Sequence, residues 1–198
     1  PTVTYRHQAG LPKGLEPEEV RRILTSCDTA SDNGVRDLAI LTLLVRLGLR
    51  RCEVSRLGLD DIDWRAGTIC VHGKGNCLER LPLPVDVGHY LAQYLRHARP
   101  AKARGRTVFV RHFAPYNALS ASRVSTIVAD AARRAGVGRV HAHRLRHTAA
   151  TQLLRAGASL PEVGQVLRHR RAQTTAIYAK VDHDTLRVIA RPWPEDAQ

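Results

Sequence analysis

The sequence predicts a mainly helical α+β fold carrying one small three-stranded antiparallel sheet. Three observations predict it. Apolar residues recur at helical spacing along most of the 198 residues. Glycines stand just past those periodic runs, at Gly48, Gly58, Gly136 and Gly157, where helices close. Strand patterning is confined to residues 60–80 and the run 78–83 that ends them, broken by glycine-bearing turns.

The elements follow in order. Residues 1–14 have no periodicity and read as a linker. Residues 15–26 form an amphipathic helix with Pro17 and two Glu in its first turn. A polar loop at 28–34 leads to a strongly apolar helix at 35–47, buried on most sides and ended by Gly48. A short helix at 51–57 is closed by Gly58. The sheet is a meander. Ile62 and Trp64 lead to a turn at Ala66 and Gly67, residues 68–71 to a G-K-G-N turn, and residues 78–83 complete it. Lys74 sits at the tip of the second turn between Gly73 and Gly75, which permit close approach to a ligand.

Residues 86–98 form a helix, 100–106 a basic loop, and 108–110 a short strand or a buried linker. Ser120 caps a helix that runs to about Ala135. A helix at 143–156 stops at Gly157, and Ser159 caps the next, with Pro161 in its first turn. A short helix carries residues 172–178, another 182–190, and 192–198 is a polar tail.

The hydrophobic fraction of 43% and the length suit one domain with a substantial core. The chain shows no run long and apolar enough to cross a membrane, and it does not open on a signal peptide. Met is absent even at position 1, so the chain reads as an excised fragment or a processed product. The net charge of +13 implies a polyanionic partner, nucleic acid foremost. Lys occurs only at 13, 74, 102 and 180, so the charge is almost all Arg. An Arg- and Ala-rich codon bias accounts for part of that, not for the excess over acids. The cysteines at 27, 52, 70 and 77 lack C-x-x-C spacing and read as reduced thiols of a cytoplasmic protein. His141, His143 and His147 have no cysteine nearby and no second ligand pair, which argues against zinc.

The helix at 143–156 carries an unusual stripe. His143, Arg146, His147, Ala150, Leu153 and Leu154 share one face, and its C-terminal part is apolar. The face therefore aims His143 and Arg146 inward or into a cleft. Cations so placed need an anion, and the first turn of a helix favours negative charge. Phosphate is the natural candidate. Arg50, between two helices, can pair bidentately with phosphate oxygens and does not deprotonate. Glu53, three residues on, is placed to hold a nearby Arg.

Three boxes now stand in order: G-L-R-R-C-E-V at 48–54, H-G-K-G-N-C-L-E-R-L-P-L at 72–83, and H-R-L-R-H-T-A-A-T at 143–151 followed by L-R-H-R-R-A-Q-T-T-A-I-Y at 167–178. Together they resemble the signature boxes and lysine hairpin of the tyrosine recombinases, the phage integrase family, over nearly the whole chain from about residue 11. Arg51 and Cys52 depart from the apolar or small residues usual there, and Cys77 stands where a second Lys is common.

The resemblance implies residues 1–14 as an interdomain linker after a DNA-clamping domain, 15–181 as a helical tyrosine-recombinase catalytic domain, and 182–198 as a helix and tail that in family members often docks on a neighbouring protomer. It implies a site-specific recombinase that cuts and rejoins double-stranded DNA through a 3′-phosphotyrosyl link, without metal, cofactor or ATP, in a synaptic homo-tetramer or paired recombinases. Tyr178 would be the nucleophile, and Arg50 and Arg146 the phosphate clamps. His143 would be the base, His169 a phosphate donor, Lys74 the acid, and Glu53 a support.

Three other functions remain open on the residues. A type IB topoisomerase-like enzyme has a similar site, although the chain length and the L-R-H…Y spacing favour the recombinase. A metal-dependent nuclease would use D-D-I-D at 60–63, which otherwise reads as an ordinary turn. A non-enzymatic DNA-binding module would keep the fold, but none of the expected polar residues is missing. The DNA site and the biological role are not written in these residues.

Overall fold

The computed structural model describes residues 14–73 and 78–168. Lys74, Cys77, His169, Tyr178, the helices expected at 172–178 and 182–190, the tail and most of the linker lie outside the described residues. The chain divides into two compact units, residues 12–149 in one and residues from 150 onward in the other.

The larger unit begins with α1 (Pro17–Thr25), which enters on Glu16 with Glu19 reaching back 2.9 Å to the Glu16 amide. Helix α2 (Asp32–Arg46) starts earlier than the polar loop expected at 28–34 would allow. Ser31 explains the difference, because its hydroxyl accepts the Gly34 amide and caps the helix. A Cβ at Gly34 would lie 1.8 Å from the Asp28 carbonyl oxygen, so this turn admits only glycine. Gly48, at φ +56°, then turns the chain out of α2. Helix α3 (Arg51–Arg56) follows, and Gly58 closes it in an extended conformation by donating its amide to Asp61 Oδ2 at 2.7 Å.

A 3₁₀ turn (Leu59–Asp61) leads into the sheet, β1 (Ile62–Asp63), β2 (Thr68–His72) and β3 (Leu78–Pro82). It is an antiparallel meander in the order β1-β2-β3, with Ile69 opposite both Ile62 and Leu81. Strand β1 is shorter than expected, and Trp64 lies in the turn, half exposed.

Helix α4 (Val85–Gln93) continues as a π-helical turn (Tyr94–Ala98). Residues 108–110 are buried, with a single β-bridge from Val110 to Ala118, so of the two expectations the buried linker is the one observed. Their backbone is held by tertiary partners: Val108 donates to the Leu57 carbonyl at 2.8 Å, and Val110 to the Tyr94 hydroxyl at 3.3 Å. The Tyr94 ring stacks on Phe109 at 5.3 Å.

Helix α5 (Ala121–Arg134) is capped by Ser120 and closed by Gly136 at φ +65°. Helix α6 (Ala142–Arg155) ends at Gly157, where the Ala158 and Gly157 amides bond back to Leu153 and Leu154.

The core of this unit centres on α2, whose Ile40, Leu41, Leu43 and Leu44 are fully buried, joined by Ile23, Leu49, Ile69, Leu91, Ile127 and Leu145. Two bonds fix the surrounding helices. Thr148 Oγ1 accepts the Leu15 amide at 2.8 Å, and Ser26 Oγ donates to the Ala131 carbonyl at 3.1 Å. In the smaller unit, α7 (Leu160–Val166) is capped by Ser159, with Glu162 completing a capping box. Its cluster is Ala150, Val163 and Leu167, with Leu153 and Leu160 packed on them. Among the described residues no helix is long and apolar enough to cross a membrane.

Candidate active site

A cleft of about 430 Å³ opens between the α2–α3 corner and the start of α6. Leu49, Arg50, Arg51, Cys52, Ser125, His141, Ala142, His143 and Arg146 line it. Arg50 and Arg146 are 96 positions apart in sequence, yet both side chains border this one space.

Each is held differently. Arg50 is the residue before α3, and its extended backbone lets the Glu53 carboxylate grip it twice. One carboxylate oxygen accepts the Arg50 amide at 2.7 Å and the other accepts Nη1 at 2.6 Å. Glu53 is 4% exposed, and a buried carboxylate of this kind requires such pairing. The Arg50 side chain itself stays 38% exposed, so its far edge faces the cleft. Arg146 is 4% exposed and donates Nη1 to the Gly48 carbonyl at 2.5 Å. The left-handed turn at Gly48 thus ends α2, places Arg50 and anchors Arg146. Arg51 also borders the cleft and donates to Ser125 Oγ at 3.2 Å.

The stripe on α6 divides. Arg146 and His147 are buried, as an inward face requires, whereas His143, one turn earlier, stands exposed at the cleft mouth. His143 Nε2 lies 2.7 Å from His147 Nε2, with the two rings edge to face. Burial, then Arg146 and Arg50, hold the His143 pKa below its ordinary value. His147 is pushed from 6.5 down to about 4, by burial first, then by His143 and Arg146. Sequence reasoning put His147 on the right face but gave it no task. Its spacing of four residues from His143 was the available signal.

The depressed value sets a pH dependence. The unfolded chain binds a proton at His147 near 6.5 and the folded chain only near 4, so between these values the unfolded state carries the extra proton. Stability is complete above about pH 6.5 and falls as the pH drops toward 4, by on the order of 3 kcal/mol. His147→Gln should flatten the slope of Tm against pH across this window. An unchanged slope would remove His147 as its source.

Structure brings Arg50, Glu53, His143 and Arg146 together. Lys74, His169 and Tyr178 lie outside the described residues. The D-D-I-D acids are spent on local structure. Asp60 pairs with Arg106, Asp61 accepts from Gly58 and meets His72 Nε2 at 2.9 Å, and Asp63 accepts the amides of Arg65 and Ala66. The described residues include no group of three His, Cys, Asp or Glu poised around a metal. Cys27, Cys52 and Cys70 are free thiols.

The chain is similar to proteins already known. A putative integrase/recombinase, y4rA, of Sinorhizobium fredii is 47% identical over 201 residues, covering 100% of this chain and 49% of that protein. Tyrosine recombinase XerD of Listeria innocua is 36% identical, covering 90% of this chain and 61% of its own length. The chain thus spans about half to three fifths of these relatives. The crystal structure of the XerH site-specific recombinase bound to palindromic difH substrate, a post-cleavage complex, superimposes with a TM-score of 0.80 at 26% identity, over 96% of this chain and 56% of that one. Residues 13–184 match the model of the phage integrase family, and the chain belongs to that family.

Proposed function

We propose that the chain is the catalytic domain of a tyrosine site-specific recombinase that cuts and rejoins double-stranded DNA. The observation that carries this reading is the convergence of Arg50 and Arg146 on one cleft beside His143, with each guanidinium fixed before any ligand arrives. Two preorganised cations suit the charge that builds on the non-bridging oxygens of an attacked phosphodiester. The net charge of +13 suits a DNA partner.

In this reading Tyr178 attacks the phosphorus, forming a 3′-phosphotyrosyl bond as the bond to the 5′-oxygen breaks. The phenol, with a pKa of about 10, gives its proton to His143. Lys74 protonates the departing 5′-oxygen, and His169 donates to a phosphate oxygen. Attack by a partner strand's 5′-hydroxyl reverses the step, and the phosphotyrosine conserves the ester's energy, so ATP is not required. Glu53 holds Arg50 for this work. The reading extends to a domain at 15–181 preceded by a linker, a tail at 182–198 that docks on a neighbour, a synaptic homo-tetramer and action in the cytoplasm.

The test is a nicked duplex carrying the selected target site, in which the cleaved strand's end is lost and the covalent adduct accumulates. Adduct should form in excess EDTA, because two guanidiniums supply the charge a metal would otherwise bring. Formation only after Mg²⁺ is restored would overturn the reading. The role of Lys74 has its own check. A bridging 5′-sulfur leaves as a thiolate, of far lower pKa than an alkoxide, and so needs no acid. That substrate should restore cleavage to Lys74→Ala. Failure to restore it would make the lysine a phosphate contact instead.

A further inference from the structure

The contact between His143 and His147 joins two Nε2 atoms at 2.7 Å. A hydrogen bond there needs one donor and one acceptor, so in the neutral pair one Nε2 carries a proton and the other a lone pair. Two arrangements satisfy this. If His143 accepts, its own proton sits on Nδ1, and neither of its nitrogens has a lone pair left for a phenol. If His143 donates from Nε2, Nδ1 keeps its lone pair and remains available to a reactant in the cleft. Only the second arrangement leaves His143 a base.

We propose that His147 is a positioning residue whose neutral Nε2 accepts from His143 Nε2–H and so fixes the tautomer that makes His143 Nδ1 the base. This inference rests on the proton-accepting role proposed above for His143. The step balances within the site. The phenol O–H bond breaks, an Nδ1–H bond forms, and His143 becomes an imidazolium with the positive charge. Its Nε2–H then makes a charge-assisted bond to His147, which stabilises the charged form. The same proton returns to the phenolate when the phosphotyrosyl bond is reversed.

The acceptor must stay neutral for this to work, and its surroundings ensure it. His147 is 3% exposed on α6, with Arg146 beside it on the same helix. Arg50, just before α3, adds positive charge near His143, and Arg51 and His141 stand on the cleft wall. The one carboxylate among these groups, Glu53, is engaged with Arg50. Among the described residues, Arg146 and Arg50 oppose a second proton on the pair.

The experiment has two readouts. The first needs no activity. Long-range ¹H–¹⁵N spectra of the chain at pH 7.5 should show His143 with a protonated Nε2 and a lone-pair Nδ1. A protonated Nδ1 overturns the proposal. The second is the pH profile of single-turnover adduct formation. His147→Leu should lower the plateau by at least about tenfold, a share of what a positioned base supplies. It should also move the acidic limb to lower pH, because the imidazolium has lost its acceptor. His147→Gln, whose amide oxygen reaches the same place, should recover most of the rate. If His147 only fills space, the leucine variant loses activity equally at all pH values, or glutamine does no better, and the proposal fails. Absence of any adduct from the unmodified chain would sink the recombinase reading instead, and the spectra would still decide the tautomer.

Discussion

Tyr178→Phe is expected to abolish the covalent protein–DNA adduct while leaving DNA binding intact. The substitution removes one oxygen and keeps the ring, so packing changes little. Affinity for a duplex comes mainly from cations meeting phosphates, and the chain keeps all of its Arg and Lys. In the proposed mechanism the phenol oxygen is the nucleophile, and Phe supplies none. Adduct formation should fall to background in the nicked-duplex assay, with gel-shift affinity within about twofold. If Tyr178 were merely a core aromatic, the variant would cleave normally and show at most a small drop in Tm. An adduct surviving in Tyr178→Phe would reassign the nucleophile, with Tyr116 and Tyr90 the next to test among partly exposed tyrosines.

Much of the fold was legible because local chemistry agrees with the tertiary result. Gly48, Gly136 and Gly157 stand in the left-handed conformation that the helix ends require, and Ser120 and Ser159 accept the amides expected of caps. The start of α2 was misplaced although the Ser31 cap was visible, since Asp, Asn and Gly after it read as loop residues. Residues 108–110 could not be resolved from periodicity. A short apolar run is compatible with a strand, and only tertiary partners at Leu57 and Tyr94 make it a buried linker. The site was legible in a different way. Periodicity placed Arg146 and His147 on an inward face, and the structure buries both. Nothing local could show that Arg50 would meet them, because a contact across 96 positions is set by how α2 and α6 pack. The motif resemblance supplied that pairing in advance. The histidine pair went unread because a hydrogen bond between two side chains depends on rotamers that spacing does not determine.

Arg146→Ala should slow adduct formation by about 10³–10⁵-fold, the range seen when an arginine that neutralises a transferring phosphoryl group is removed. Two explanations of such a loss must be separated, because Arg146 is also buried and anchored to Gly48. Its removal leaves a cavity and an unbonded carbonyl, together worth about 1–3 kcal/mol of stability. A protein of ordinary stability, about 5–15 kcal/mol, remains folded at 25 °C after such a loss. Rate should therefore fall far more than the folded fraction, as a melting curve on the same sample would show.

Arg50→Ala tests the other half of the clamp with a different structural consequence. It leaves the buried Glu53 carboxylate with the Arg50 backbone amide but without Nη1. Arg50→Ala combined with Glu53→Gln removes the buried carboxylate's charge along with its Nη1 partner and should regain stability without regaining rate. In the proposed mechanism the two arginines act on the same phosphoryl oxygens, so their losses should not add. Arg50→Ala/Arg146→Ala should be little slower than the worse single variant. Fully multiplicative losses would mean that the guanidiniums serve separate steps, and a loss under about tenfold in folded Arg146→Ala would remove it from the phosphate site altogether.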